Sequence, residues 1–258
     1  MSIDWNEIFD LPPAALAGGR RIPKTVVARQ AELTKREQKT LDKVGRLSHF
    51  ATVQKSTTRV LPFKDDEHDV ESIVFLLCEM SEKSTAFSEA AGLLHRCFPN
   101  PTVLLMESTG AVCISTALTR RSLSEKGAMV VEEQRSTGAL DPDDLQTRVM
   151  LEGLSFGALP QEDLLAYLRE MMWRIRLVRA SQTLGFYPGC AERDKESLLR
   201  LLAEVERLGR EASELAQARR DRELSLNEQM KLRVRLKNVE SRRDHAVAEI
   251  KELCGGRN

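Results

Sequence analysis

The chain has 258 residues, 41% of them hydrophobic and 30% charged, with 39 basic and 39 acidic side chains and a formal net charge of zero. That balance excludes a disordered chain, and no apolar run nears the roughly 18 residues that a membrane span needs. Neutrality gives no general attraction for nucleic acid, so any such role rests on how the charge is distributed.

The distribution is uneven. Residues 20–46 hold nine basic and three acidic side chains, 217–243 nine and four, and 64–89 two and eight. Such separation steers a polyanion to one face, although solvated helices carry charge runs as well. Five cysteines, an odd number with no C-x-x-C spacing, predict neither a zinc site nor a disulfide framework and fit a reducing cytoplasm. The start, MSIDWNEIFD, lacks a signal-peptide core, which predicts no export.

Residues 1–22 read as a capping segment with Trp5, Ile8, Phe9 and Leu11 as its packing groups. GRRIPK (19–24) follows. It lacks the G-x-x-x-x-G-K-[ST] arrangement of a nucleotide loop and reads as a basic turn leading into a helix, whose first turn suits Pro23. Arg20, Arg21 and Lys24 are the candidate DNA-phosphate contacts there. Thr34 and Glu37 have capping-box spacing, predicting a helix over 35–46 that buries Leu41, Val44 and Leu47.

Strand-like runs occupy 48–54, 70–80, 101–107, 111–118 and 128–134, with a helix over 85–97. Thr109-Gly110 predicts a tight hairpin. Short connections predict an α+β body with a mainly antiparallel sheet and helices on one face. Asp141-Pro142-Asp143-Asp144 marks a helix start, a longer helix covers 161–184, and GFYPG (185–189) ends it. The domains expected are a body over 1–190 and a long helical coiled-coil arm over 191–258.

In that arm Leu198, Leu201, Val205, Leu208, Ala212 and Leu215 form a heptad seam. It breaks at Arg219 and Arg222 and resumes in a shifted frame at Leu236, Val239, Ala246, Ile250 and Leu253. One long helix with a stammer fits the break, as do two antiparallel helices turning near 220–225. Ser225 and Glu228 have capping-box spacing, but no glycine or proline forces a turn, so a continuous or kinked helix is the expectation. The seam is expected to pair with itself, with a second copy, or with a partner's helix. Arg233, Arg235 and Lys237 are further candidate phosphate contacts.

No catalytic constellation stands out. The four histidines are scattered, and no nucleophile elbow occurs. The sharpest enzymatic alternative is a metal-dependent nuclease using strand-borne acids, with Asp69, Glu79, Glu132 and Gln134 as its candidates. Against it, strand-end acids usually face water. The expectation is a protein without catalytic residues, cofactor or metal.

The order of motifs carries a family resemblance. It runs from RRIPK (20–24) and LTKREQKTL (33–41) through FPNPTVLLM (98–106), ISTALTRRS (114–122) and VVEEQ (130–134) to RELSLNEQMKLRVRL (222–236). In this order the chain resembles an uncharacterised bacterial family, number 4391 in the domain-of-unknown-function series. It departs from the family's pattern at Arg120-Arg121, where a lysine–arginine pair is usual. The resemblance implies loci with Swi/Snf-type helicases and DNA methyltransferases, in restriction or anti-phage defence. The partners it implies are a helicase, methyltransferase or nuclease subunit, and DNA. It transfers no catalytic residues. The function expected is therefore a cytoplasmic adaptor subunit.

Overall fold

The computed structural model describes residues 3–30, 33–81, 86–124, 128–220 and 225–255. The chain divides into two compact units, Met1–Arg179 and Ala180–Asn258.

The first unit is built on a six-stranded sheet. Its strands are β1 (Leu16–Arg21), β2 (Val44–Gln54), β5 (Ser72–Met80), β6 (Thr102–Ser108), β7 (Ala111–Arg121) and β8 (Met129–Ser136), in that spatial order. Two short strands, β3 (Phe63–Lys64) and β4 (Asp69–Val70), pair separately. Every pairing in the large sheet is antiparallel except β5–β6. A parallel pair cannot be joined by a tight turn, and helix α5 (Phe87–Cys97) makes the crossover. The hairpin expected at Thr109-Gly110 joins β6 to β7, with Ser108 opposite Ala111 and Gly110 at φ +74°. Only glycine takes that backbone region without steric cost.

Both faces of the sheet are covered, where the short connections had pointed to helices on one. Ile73, Phe75, Val103, Leu105 and Ile114 pack beneath α1 (Trp5–Phe9), α6 (Leu145–Glu152) and the body portion of α7 (Leu164–Leu184). Leu76, Cys78, Leu104, Met106 and Cys113 face α2 (Lys24–Gln30), α3 (Lys35–Asp42) and α5. The near-continuous apolar runs IVFLLC and VLLM reflect this, because a strand buried on both faces loses polar alternation.

Two local expectations change. The Thr34–Glu37 capping box forms, but α3 ends at Asp42, and Val44 and Leu47 belong to β2. Ser81 stops the helix by donating both its backbone N–H and its hydroxyl to the Lys43 carbonyl, each at 2.7 Å. Val44 and Leu47 are buried in the same cluster as Leu41 all the same. GRRIPK is not a turn throughout. Arg20 and Arg21 lie on edge strand β1, opposite His49 and Ser48, beyond a bulge that places Gly18 and Gly19 at φ +66° and +69°.

The second unit contains α8 (Lys195–Ala218) and α9 (Leu226–Gly255), which pack as an antiparallel hairpin. Arg242 on α9 meets Glu204 on α8 at 3.2 Å, and Lys251 lies 5.4 Å over the Phe186 ring. The expectation of one continuous or kinked helix is thereby corrected. Ser225 caps α9: its hydroxyl donates to Glu228 at 2.6 Å and accepts from the Glu228 N–H at 3.3 Å. One position of the seam changes, since Leu202 is buried and Leu201 is only half-buried. Leu198, Val205, Leu208, Leu215, Val239 and Ile250 are buried, and Leu236 packs against them half-buried. The seam is closed within the chain.

Candidate functional site

The four residues of the nuclease alternative sit in different surroundings. Asp69 on β4 accepts from Lys64 at 2.7 Å and from Arg121 at 2.8 Å, and these two cations hold its carboxyl below the usual range. Glu132 on β8 contacts the buried His68, Oε2 to Nε2 at 2.8 Å. The other ring nitrogen of His68 is 3.5 Å from Asp65 and makes no hydrogen bond among the described residues. Glu79, next to last in β5, has Arg46 at 3.7 Å. Gln134 donates to the Ser115 hydroxyl at 3.3 Å. A metal centre needs carboxylates converging on one point. Here Asp69 is turned to two cations and Glu132 to an imidazole, and among the described residues no group of three or more His, Cys, Asp or Glu is arranged to hold a metal ion.

Two polar features escaped sequence reading because tertiary packing creates them. Glu107 stands beside Glu79 in the β5–β6 register and accepts from the Trp5 indole at 2.5 Å. Burial, followed by the neighbouring Glu79 charge, raises its carboxyl. His95, on α5, is buried, with Nδ1 at 2.5 Å from the Thr102 hydroxyl and Nε2 at 2.9 Å from that of Ser115. Burial lowers its pKa to about 3, so the ring is neutral. Both nitrogens are occupied, and no solvent reaches it: this is a satisfied core histidine.

The candidate phosphate contacts fall in two places. Arg20 and Arg21 are exposed on β1, and Lys24 is half-buried in the first turn of a helix of only seven residues. A groove of about 560 Å³ between α3 and α5 adds Arg36, Lys39, Lys43 and Arg96. Two of these are already neutralised, Lys43 by Glu89 and Arg96 by Glu37, each at 2.8 Å.

Arg233, Arg235 and Lys237 are exposed on α9. With Lys231 they form no ion pair among the described residues, whereas Arg242 is held by Glu204. Beside them runs a groove of about 540 Å³ in which Met230 and Val234 are 61% and 70% exposed. Sequence reading missed it, because these two residues lie outside the seam's frame. An exposed apolar pair flanked by unpaired cations has the character of a binding surface.

The family model described as Domain of unknown function (DUF4391) matches residues 9–242. The chain belongs to this family. The DUF4391 match takes in the six-stranded sheet, α8, and α9 as far as Arg242, so the Met230–Val234 groove falls inside it. Neither the comparison with curated proteins nor that with solved structures gives a match for this DUF4391 protein. No helix among the described residues is long and apolar enough to cross a membrane.

Proposed function

We propose that this DUF4391 protein is a non-catalytic adaptor subunit of a prokaryotic DNA-acting complex, of the restriction or anti-phage defence kind. In this reading it works in the cytoplasm and binds a helicase, nuclease or methyltransferase subunit. The defence setting rests on the family resemblance. The adaptor role rests on one observation: the hairpin satisfies its own seam and still leaves Met230, Val234 and the cations Lys231, Arg233, Arg235 and Lys237 open on α9. Met230 and Val234 add nothing to that seam, and a partner laid on α9 would take them out of water. The coiled-coil reading of the arm becomes an intramolecular one, with the partner taken up on the outside of the hairpin.

Two measurements test this. Incubated with Mg²⁺ and single- or double-stranded DNA, the purified chain is expected to leave the DNA intact. Cleavage that disappears in Asp69→Ala or Glu132→Ala would put the nuclease reading first. Isolated from its host, the chain is expected to bring a helicase, methyltransferase or nuclease with it, and isolation alone would count against the adaptor role.

A further inference from the structure

We infer that the outer groove of the helical hairpin receives an amphipathic helix of a partner protein whose flanks are acidic. This rests on the adaptor reading and names the chemistry of the partner.

The groove is about 540 Å³. Met230 and Val234 are four residues apart on α9, hence neighbours on one helix face, and the buried Val239 also lines it. Methionine and valine here are mostly exposed, and together they offer a strip that gains by leaving water. Methionine's flexible thioether adapts to varied apolar partners. Around the strip stand Lys231, Arg235 and Arg242, against the single acid Glu211. Glu211 is itself engaged by Arg207 at 3.2 Å, and Arg242 by Glu204 at 3.2 Å. Lys231 and Arg235 therefore carry the charge still to be met among the described residues.

An occupant must match both the apolar strip and the cations. Duplex DNA would meet the cations but leave Met230 and Val234 against a polar backbone. A second copy applied by two-fold symmetry would bring Lys231 and Arg235 against the same cations of its mate, a like-charge arrangement. A helix with apolar anchors at i, i+3 or i+4 and i+7, flanked by Asp or Glu, meets the strip with its stripe and the cations with its flanks. Its acids would steer the encounter and set orientation, while the anchors would supply the buried area.

The test uses the full chain and a fluorescent three-heptad peptide with Leu at a and d, Glu at e and g, and Ala elsewhere. Fluorescence anisotropy is expected to show saturable binding that weakens as salt rises. Met230→Glu with Val234→Glu should weaken it about tenfold or more, with far-UV circular dichroism unchanged. Lys231→Glu with Arg235→Glu should do the same, and a peptide carrying Lys in place of Glu should recover binding to that variant. Peptide binding that ignores Met230→Glu/Val234→Glu overturns the inference. So does a short DNA duplex that binds in the peptide's place and depends on the cations alone. A free chain that light scattering shows to be a dimer, dissociated by Met230→Glu/Val234→Glu, overturns it in favour of a second copy. If the host complex survives Met230→Glu/Val234→Glu, the groove assignment fails and the adaptor role stands. If the peptide binds as expected but the chain is isolated from its host alone, the adaptor role fails and the groove remains.

Discussion

The neutral, buried His95 makes the body's stability fall in mild acid before the carboxylates contribute. Its pKa drops from an ordinary 6.5 to about 3, with burial as the cause. A depressed imidazole means that the unfolded chain takes up the proton first. The stabilisation is complete above about pH 6.5 and is lost as pH falls towards 3. At pH 5 the unfolded chain has passed 1.5 units below its own midpoint, which at about 1.36 kcal/mol per unit amounts to about 2 kcal/mol. For a unit of this size that is on the order of 4–8 °C in Tm. Both tryptophans, Trp5 and Trp173, belong to the first unit, so their fluorescence in urea titrations reports on the body alone. His95→Gln can still bond to Thr102 or Ser115 but does not titrate. Whatever it costs at pH 7, its further loss between pH 7 and pH 5 should be smaller than that of the native chain by about 2 kcal/mol. Equal losses in the two proteins would refute the reasoning.

Three other outcomes follow from the packing. Glu107 has a raised carboxyl pKa, so its contribution to stability declines as pH rises from 4.5 through the raised value; Glu107→Gln should remove that decline and keep the acceptor for Trp5, as urea midpoints at pH 4 and 7 would show. The buried Tyr167 hydroxyl has no hydrogen-bond partner among the described residues, so Tyr167→Phe should stabilise the body by about 1 kcal/mol, read as a higher urea midpoint. Leu208, fully buried between α8 and α9, should cost the hairpin about 2–5 kcal/mol when changed to alanine. Circular dichroism would register that loss while tryptophan fluorescence stayed unchanged.

Signals local in sequence were the legible ones. Capping at Thr34, Asp144 and Ser225 depends on residues within three positions, and each cap forms. The apolar runs of β5 and β6 and the Gly110 turn are likewise read over a few residues. β1 was not legible, because LAGGRR has little strand propensity and owes its conformation to pairing with β2. Val44 and Leu47 were placed in the core but in the wrong element: their burial follows from hydrophobicity, while the helix stop is supplied by Ser81. Strand register sets Glu107 beside Glu79, and the packing of α5 on β6 and β7 makes the His95 contacts; neither can be read from neighbouring residues. The α9 groove was hidden for another reason, because Met230 and Val234 lie outside the frame of the seam that Leu236, Val239, Ala246 and Ile250 continue.

The indole of Trp5 finds its acceptor on Glu107, 102 residues later. At about 5–20 residues per second, translation needs roughly 5–20 s to supply that distance. During the interval β2 and β5 are made, and Phe75 on β5 can already meet the Phe9 ring, but the β6 and β7 part of the face that shelters Trp5, Ile8, Phe9 and Leu11 is still missing. Helix α1 has five residues, too few to persist as a helix by itself, so it depends on that sheet face. The Trp5–Glu107 bond therefore closes only after β6 is complete, and until then the apolar side chains of this stretch are open to a nascent-chain chaperone.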